Sequence, residues 1–394
     1  MTEETPLIEE LCSLEEFGRA ATGWAELQER CGVHSIFSSH SWLMACARHL
    51  GPGERLLILL IREKGKLVGA APLVHRPTRV RRLPATEIGF LGNPLTPSCD
   101  FLFECPQTGV EVLIDHLLHK HNDWDLLSLA KLREDSPTIA TLRERINRSK
   151  NIFTTDITSR TPYLEISGTW EDFWRRKSQK FRKTRRSVAN RVERLGPVSV
   201  ELIEDEQRAS MALQEFLYLS QRSWTRQQGT DLLTPEFESG FLRELTRIAI
   251  QHGWLRIWLL RLQDKVIAGE FHLNDGKVEY GLRAHYDAAY ASSSPGSYLD
   301  TQIVERLFLG GCSLYDMGPG VVSYKTAWTE KVYECRTAKL FHRRLYSRLL
   351  GRLEGRWIPA VRNSRLGKWL TGPKIGDDRT QETEPEREDP GRGK

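Results

Sequence analysis

The 394-residue chain has no apolar run of the roughly 18 residues that a membrane-spanning helix needs. A bundle of membrane spans is therefore not expected. The expected location is cytoplasmic, with any membrane contact peripheral. The opening residues MTEETPLIEE are acidic and contain no signal-peptide core. Cysteine is sparse: seven residues, scattered, with no C-x-x-C pair. Such a set reads as reduced thiols rather than a disulfide scaffold. Histidine is no better organised. The nearest group is His116, His119 and His121, at the end of an expected helix. With no second cluster beside it in sequence, it reads as a solvated helix end, and no metal is expected.

What is present fits a globular protein of two ordinary domains: 39% hydrophobic and 28% charged residues. The net charge of +5 is uneven. The segment 377–394 carries seven acids and four bases, so the remainder is more basic than the total suggests. A basic body favours anionic partners: phosphates of a cofactor, nucleic acid, or a membrane surface.

The most informative stretch is 254–328. Three strand patterns, WLRIWLLRL, VIAGEFHLN and KVEYGLRAHY, are joined by short turns, the second at Asp275-Gly276. The small-residue loop AAYASSSPGS follows, then the amphipathic helix pattern SYLDTQIVERLFLGG and the strand SLYDMG. A helix N-terminus has unpaired N–H groups and a partial positive charge, and a glycine there allows close approach. The loop 292–297 is thus either a diphosphate site or an ordinary Ser-rich cap built on Ser294 or Ser297.

The first part of the chain repeats this order: helices, hairpin, further strands, helix, strand. The matched order predicts two α/β halves, 1–157 and 197–342. Where the second half has its small-residue loop, the first has GNPLTPS, in which Pro94 and Pro97 remove N–H donors. Between the halves, 158–196 holds a strand and a helix with ten Lys or Arg between Arg175 and Arg194 and one acid, Glu193. One long basic helix is expected here, flanking a cleft, bridging the halves in solvent, or contacting nucleic acid. Residues 343–370 read as a basic amphipathic helix, packed on the second half or lying on an anionic membrane. Residues 371–394 have the composition of a disordered tail.

The segments FWRRKSQKFRKTRRSVANRVERLG, RSW (222–224), AHYDAAYASSSPGSYL and LYDMGPGVVSYKTAW resemble the GNAT superfamily of acyl-CoA-dependent N-acyltransferases. More closely, 160–345 resembles the bacterial cellulose and exopolysaccharide biosynthesis (CelD-like) group, which is similar to the Fem-type aminoacyltransferases. The fold class this implies is α/β, two GNAT-like mixed-sheet halves in tandem joined by a long basic helix. The Gln/Arg-x-x-Gly-x-Gly/Ala pyrophosphate motif of typical GNAT enzymes is absent. Ser294-Pro295-Gly296-Ser297 stands in its place.

The resemblance implies acyl-CoA or acetyl-CoA as co-substrate and a small-molecule or saccharide amine as acceptor. The donor phosphates would meet the backbone of Ser294, Gly296, Ser297 and Tyr298. Acyl transfer also needs a base and an oxyanion donor. Glu270, mid-strand in an apolar run, and Asp316 are candidate bases, with Tyr286 beside them. Glu270 shares a strand face with Ala268 and His272, which is either a polar cleft or a solvent face. Lys325 matches the Fem-type lysine near the reacting groups. Arg222, Trp224 and His285 are candidate substrate contacts, Trp224 reading more readily as core than as a ligand platform. The first half is either the acceptor side or a structural partner. The competing functions are an aminoacyl-tRNA-dependent aminoacyltransferase, for which the basic helix speaks, and a non-catalytic scaffold.

Overall fold

The computed structural model of the protein describes residues 6–147, 152–223 and 233–356. The first half begins with β1 (Leu7–Leu11), α1 (Leu14–Arg19), α2 (Ala21–Arg30) and α3 (His40–Arg48). The strands β2 (Arg55–Glu63), β3 (Lys66–Val80), β4 (Leu83–Phe90) and β5 (Leu102–Phe103) follow. Then come α4 (Pro106–Lys120), β6 (Leu126–Arg133), α5 (Pro137–Asn147) and β7 (Phe153–Glu165). Next are α6 (Trp170–Arg176) and α7 (Gln179–Glu193). The second half runs β8 (Val198–Ile203), α8 (Glu206–Gln221), α9 (Pro235–His252), β9 (Leu255–Leu262), β10 (Lys265–Asn274) and β11 (Val278–Tyr286). It ends with α10 (Pro295–Leu309), β12 (Leu314–Asp316), α11 (Ser323–Thr326), β13 (Val332–Phe341) and α12 (Leu345–Arg356).

Among the described residues the strands form one mixed sheet, in the order β1-β2-β3-β4-β6-β13-β7-β12-β11-β10-β9-β8, with β5 on β3. The order is palindromic. Each half contributes an antiparallel meander and one parallel pair, β4 with β6 and β11 with β12. The tandem arrangement expected from the element order is present, with one addition. The halves exchange their last strands: β7 pairs with β12 of the second half, and β13 with β6 of the first.

The exchange decides where the chain goes next. After β7 it is already on the second half, so α7 packs beside α10. After β13 it is on the first half, so α12 lies there and not on the second half as expected. Leu350 of α12 is buried with Val80, Ala85 and Leu126, and Ser347 Oγ donates to Asp125 Oδ1 (2.7 Å). The expected boundary at 157 falls inside β7. The expected single basic helix is two, because the Ser178 hydroxyl accepts the Phe181 N–H (3.1 Å) and starts a new helix after an extended Lys177. Residues 357–370 of the expected amphipathic helix, and 371–394, lie outside the described residues.

One face of the sheet carries α1–α3 and α8–α9 in a single core that spans both halves; Trp42 meets Phe241 edge-on at 5.6 Å. The other face carries α4 and α5 over the first half, and α6, α7 and α10 over the second. No helix among the described residues is long and apolar enough to cross a membrane.

Candidate functional site

Alternation along β10 and β11 assigns each polar side chain to a face. Opposite residues share a face, and Glu270 pairs with Ala284 and Ala268 with Tyr286, so Glu270 and Tyr286 both point toward α10. The register shifts between Phe271 and His272, and beyond the shift His272 lies opposite Gly281 and Asn274 opposite Glu279. A polar row thus runs beneath α10. None of it faces solvent: Glu270, His272 and Glu279 are all buried.

His272 sits between two carboxylates. Its Nε2–H donates to Glu270 Oε2 (2.8 Å) and its Nδ1–H to Glu279 Oε1 (2.9 Å). Glu279 also accepts from Asn274 Nδ2 (2.8 Å) and Trp258 Nε1 (3.3 Å). Burial alone would push the imidazole pKa down, but the two carboxylates outweigh it and hold it up at about 9. Asp300 of α10 is buried above this row. Burial first, then the Glu270 charge, raises its pKa, and Arg185 opposes them. Tyr315 of β12 lies beside the His272 ring, with centroids 5.6 Å apart. Sequence reasoning passed over Asp300, Glu279, Tyr315 and Arg185. The charged residues within buried runs of strand and helix were their only local signal.

The loop before α10 is ordered by charge. Asp287 opens a 3-10 turn over Ala288–Ser293 by accepting the Ala289 N–H, and its carboxylate meets Lys265 Nζ (3.0 Å) and Arg222 Nη1 (3.6 Å). Arg222 stacks on Tyr218, 4.3 Å from the ring centroid, and so acts as a strut of the loop base. Trp224 lies outside the described residues. α10 begins at Pro295, two residues earlier than expected, with Ser294 left-handed at φ 59°. The four expected backbone donors are not all free. Ser294 N–H donates to Ala291 O and Tyr298 N–H to Ser294 O, while those of Gly296 and Ser297 have no partner among the described residues. Arg191 of α7 donates to Ser294 Oγ (3.3 Å), and buried Arg185 donates to Ser297 O (3.3 Å) while lying over Trp328. Two free N–H groups, a helix dipole and two guanidinium groups therefore meet at one point.

The remaining predicted residues lie on the opposite face. Asp316 pairs with Tyr280, one residue past the Glu279–Tyr315 pair. Its Oδ2 accepts from Tyr333 O–H (2.6 Å) and its Oδ1 from Gly318 N–H (2.9 Å); burial raises its pKa against these bonds. Gly318 has φ +73°, and a Cβ there would lie 2.6 Å from Gly281 O, so only glycine fits where the two strands part. Lys325 Nζ donates to Gly318 O and Pro319 O, both at 3.0 Å, which ties this loop. His285 does not face the loop before α10. It packs on Phe216 and bonds Glu238 (3.1 Å), which also pairs with Arg283 (2.7 Å). Burial would raise the Glu238 pKa, but His285 and Arg283 bring it down to about 2. The sheet thus separates Glu270 and Tyr286 from Asp316, Lys325 and His285.

A small cleft of about 40 Å³ opens on this second face, between Pro94, Leu95 and Pro97 of the first half and Tyr280, Leu282 and Asp316 of the second. The first-half loop cannot mirror the loop before α10. Its carbonyls at Asn93, Pro94 and Thr96 converge on Lys131 Nζ (3.0, 3.3 and 2.6 Å), a cation site by construction.

These shifts predict a pH profile. The His272 pKa is raised in the fold, so its stabilisation is full below about 6.5 and is lost as pH rises through about 9. The Glu238 pKa is depressed, so its share is full above 4.5 and is lost as pH falls through about 2. Melting temperature should fall on both sides. His272→Gln should melt lower at neutral pH, by about 3 kcal/mol of stability, and lose the alkaline limb. A parent melting temperature that stays flat from about pH 7 through 9 would rule out an imidazolium here.

Residues 179–326 match the acetyltransferase (GNAT) domain family. That span runs from α7 to α11 and includes the loop before α10. A search of curated protein sequences finds no match. Among solved structures, the chain is similar to FemX, with a TM-score of 0.55 and 11% identity over 84% of this chain and 96% of that one. It is also similar to the C-terminal domain of a protein assigned as a lysylphosphatidylglycerol synthetase from Agrobacterium fabrum, with a TM-score of 0.52 and 11% identity over 86% and 95%. At such identity these likenesses speak for the fold. The chain has a GNAT-type acyltransferase fold.

Proposed function

We propose that this chain transfers an acyl group from acyl-CoA to an amine acceptor, of the amino-sugar or envelope and exopolysaccharide precursor type. The observation that carries the reading is the pair of free N–H groups at Gly296 and Ser297, with Arg191 and Arg185 at the same helix end. An anion fits there, and among the described residues a Cβ built on Gly296 would meet only Tyr286, at 3.5 Å, so these residues leave the backbone open to approach. Bound CoA would supply the activated thioester. The chain's own residues do the rest. The α10 N-terminus holds phosphate, Glu270 takes the amine proton, and Tyr286 lies between them. Asp316, beneath the 94–97 loop on the opposite face of the sheet, is not placed to take that proton. Lys325, occupied by two carbonyls, shapes the strand separation and is a positioning residue.

A second reading, transfer from aminoacyl-tRNA, is favoured by the exposed Lys180, Lys183 and Arg186 on α7. Exposed Leu345 and Leu349 beside Arg348 on α12 favour peripheral contact with an anionic membrane. Calorimetry on the full chain separates the donors. Acetyl-CoA or a longer acyl-CoA should bind at one site per chain, and charged tRNA should not compete with it. Binding of charged tRNA alone would favour the second reading, and binding of neither would favour a non-catalytic scaffold.

A further inference from the structure

The histidines at the end of α4 gain a partner that their local sequence does not show. Glu10 lies on β1, the strand at the sheet edge, whose single neighbour among the described residues is β2. His116 is in the last turns of α4, and His121 is the residue that ends it. Five residues apart, they would point to different sides of a continuing helix. The backbone turns extended at His121, φ −111° and ψ 115°, and swings its ring back toward His116. The ring centroids are 5.6 Å apart. Glu10 Oε1 is 2.6 Å from His116 Nε2 and 3.0 Å from His121 Nε2, and the three atoms all lie within 4.8 Å of one another.

Two imidazoles and a carboxylate at one point, partly open to solvent, form the donor set of a three-ligand zinc site with a fourth position for water. We propose that Glu10, His116 and His121 bind a zinc ion that ties the edge strand β1 to the end of α4. Each imidazole would coordinate through Nε2 and keep its proton on Nδ1. The carboxylate, which now accepts from both rings, would turn to the ion. Asp123, engaged with His75 (3.3 Å) and Arg55 (3.2 Å), adds negative charge nearby without joining the ligands. His119 is turned away, its Nδ1 bonded to Asp115 O (2.7 Å). The site belongs to the far end of the sheet from β8 and is separate from the donor loop.

The test uses the untagged full chain, since a histidine tag would bind the same ion. Zinc titration by calorimetry, with a competing chelator, should give one ion per chain and a higher melting temperature. Glu10→Gln and His116→Ala should each weaken binding by more than the roughly 10–100-fold that loss of a second-shell partner costs. His119→Ala should bind as the parent does. Circular dichroism checks that each variant is folded, and the zinc absorption edge should show nitrogen and oxygen neighbours. The proposal fails if the folded parent takes up no zinc at micromolar concentrations. It fails equally if folded Glu10→Gln and His116→Ala both keep parental affinity, or if the spectrum shows sulfur, which would move the site to exposed Cys12 or Cys105.

Discussion

Gly296→Val is expected to abolish acyl-CoA binding in a protein that still folds. Gly296 is the second residue of α10, and its N–H is one of the two left free at the helix start. A side chain there projects from the backbone that the phosphate must approach, and a β-branched one does so rigidly. The fold has little reason to object. The added Cβ meets Tyr286 at 3.5 Å, an ordinary contact, and valine is a better helix former than glycine. Donor affinity should fall about 100-fold or more, which is about 3 kcal/mol, with melting temperature unchanged or slightly raised. Ser294→Ala removes only the hydroxyl that Arg191 reaches, so it should cost about 1 kcal/mol, roughly fivefold in affinity. A folded Gly296→Val protein with parental affinity would take the loop out of the site and remove the main support for a CoA donor.

Glu270→Gln should lower turnover by about 100-fold or more with donor affinity nearly unchanged, because a general base acts in the chemical step and not in binding. The geometry prefers Glu270 to Asp316. Both Asp316 oxygens already accept hydrogen bonds, from Tyr333 and Gly318. Glu270 is held by His272 through Oε2, which leaves Oε1 without a hydrogen-bond partner among the described residues. Asp316→Asn should therefore reduce turnover less. Steady-state kinetics on both variants, with calorimetry for donor affinity, decides. Full turnover in both would pass the proton to Tyr286 or to water, since His285 is committed to Glu238 on the other face.

Much of this architecture was legible in the residues. Period-two runs at 254–286 and the Asp275-Gly276 turn place β9–β11, and the apolar spacing at 299, 303, 304 and 307 places α10, because such signals are local. Pro94 and Pro97 mark the first-half loop as a poor anion site, and the structure adds that its carbonyls turn onto Lys131. The start of α10 was misplaced by two residues. Serines there suggest a side-chain cap, whereas the chain uses a left-handed Ser294 followed by Pro295, with no side-chain cap bond.

By itself, then, the sequence determined most of the elements, their repeated order, and a loop-to-helix junction with a glycine in the first turn of the helix. Only the tertiary structure decided what surrounds that junction. The exchange of β7 and β13 depends on pairing between strands far apart in the chain, and no local pattern encodes it. That exchange brings α7, and with it Arg185 and Arg191, to the start of α10. The register shift after Phe271 is equally non-local, yet it sets His272 between Glu270 and Glu279. The pairing of Glu10 with His116 and His121 spans more than a hundred residues. In each case the chemistry comes from side chains that meet only when strands and helices pack, because charge acts through space and periodicity describes only the chain.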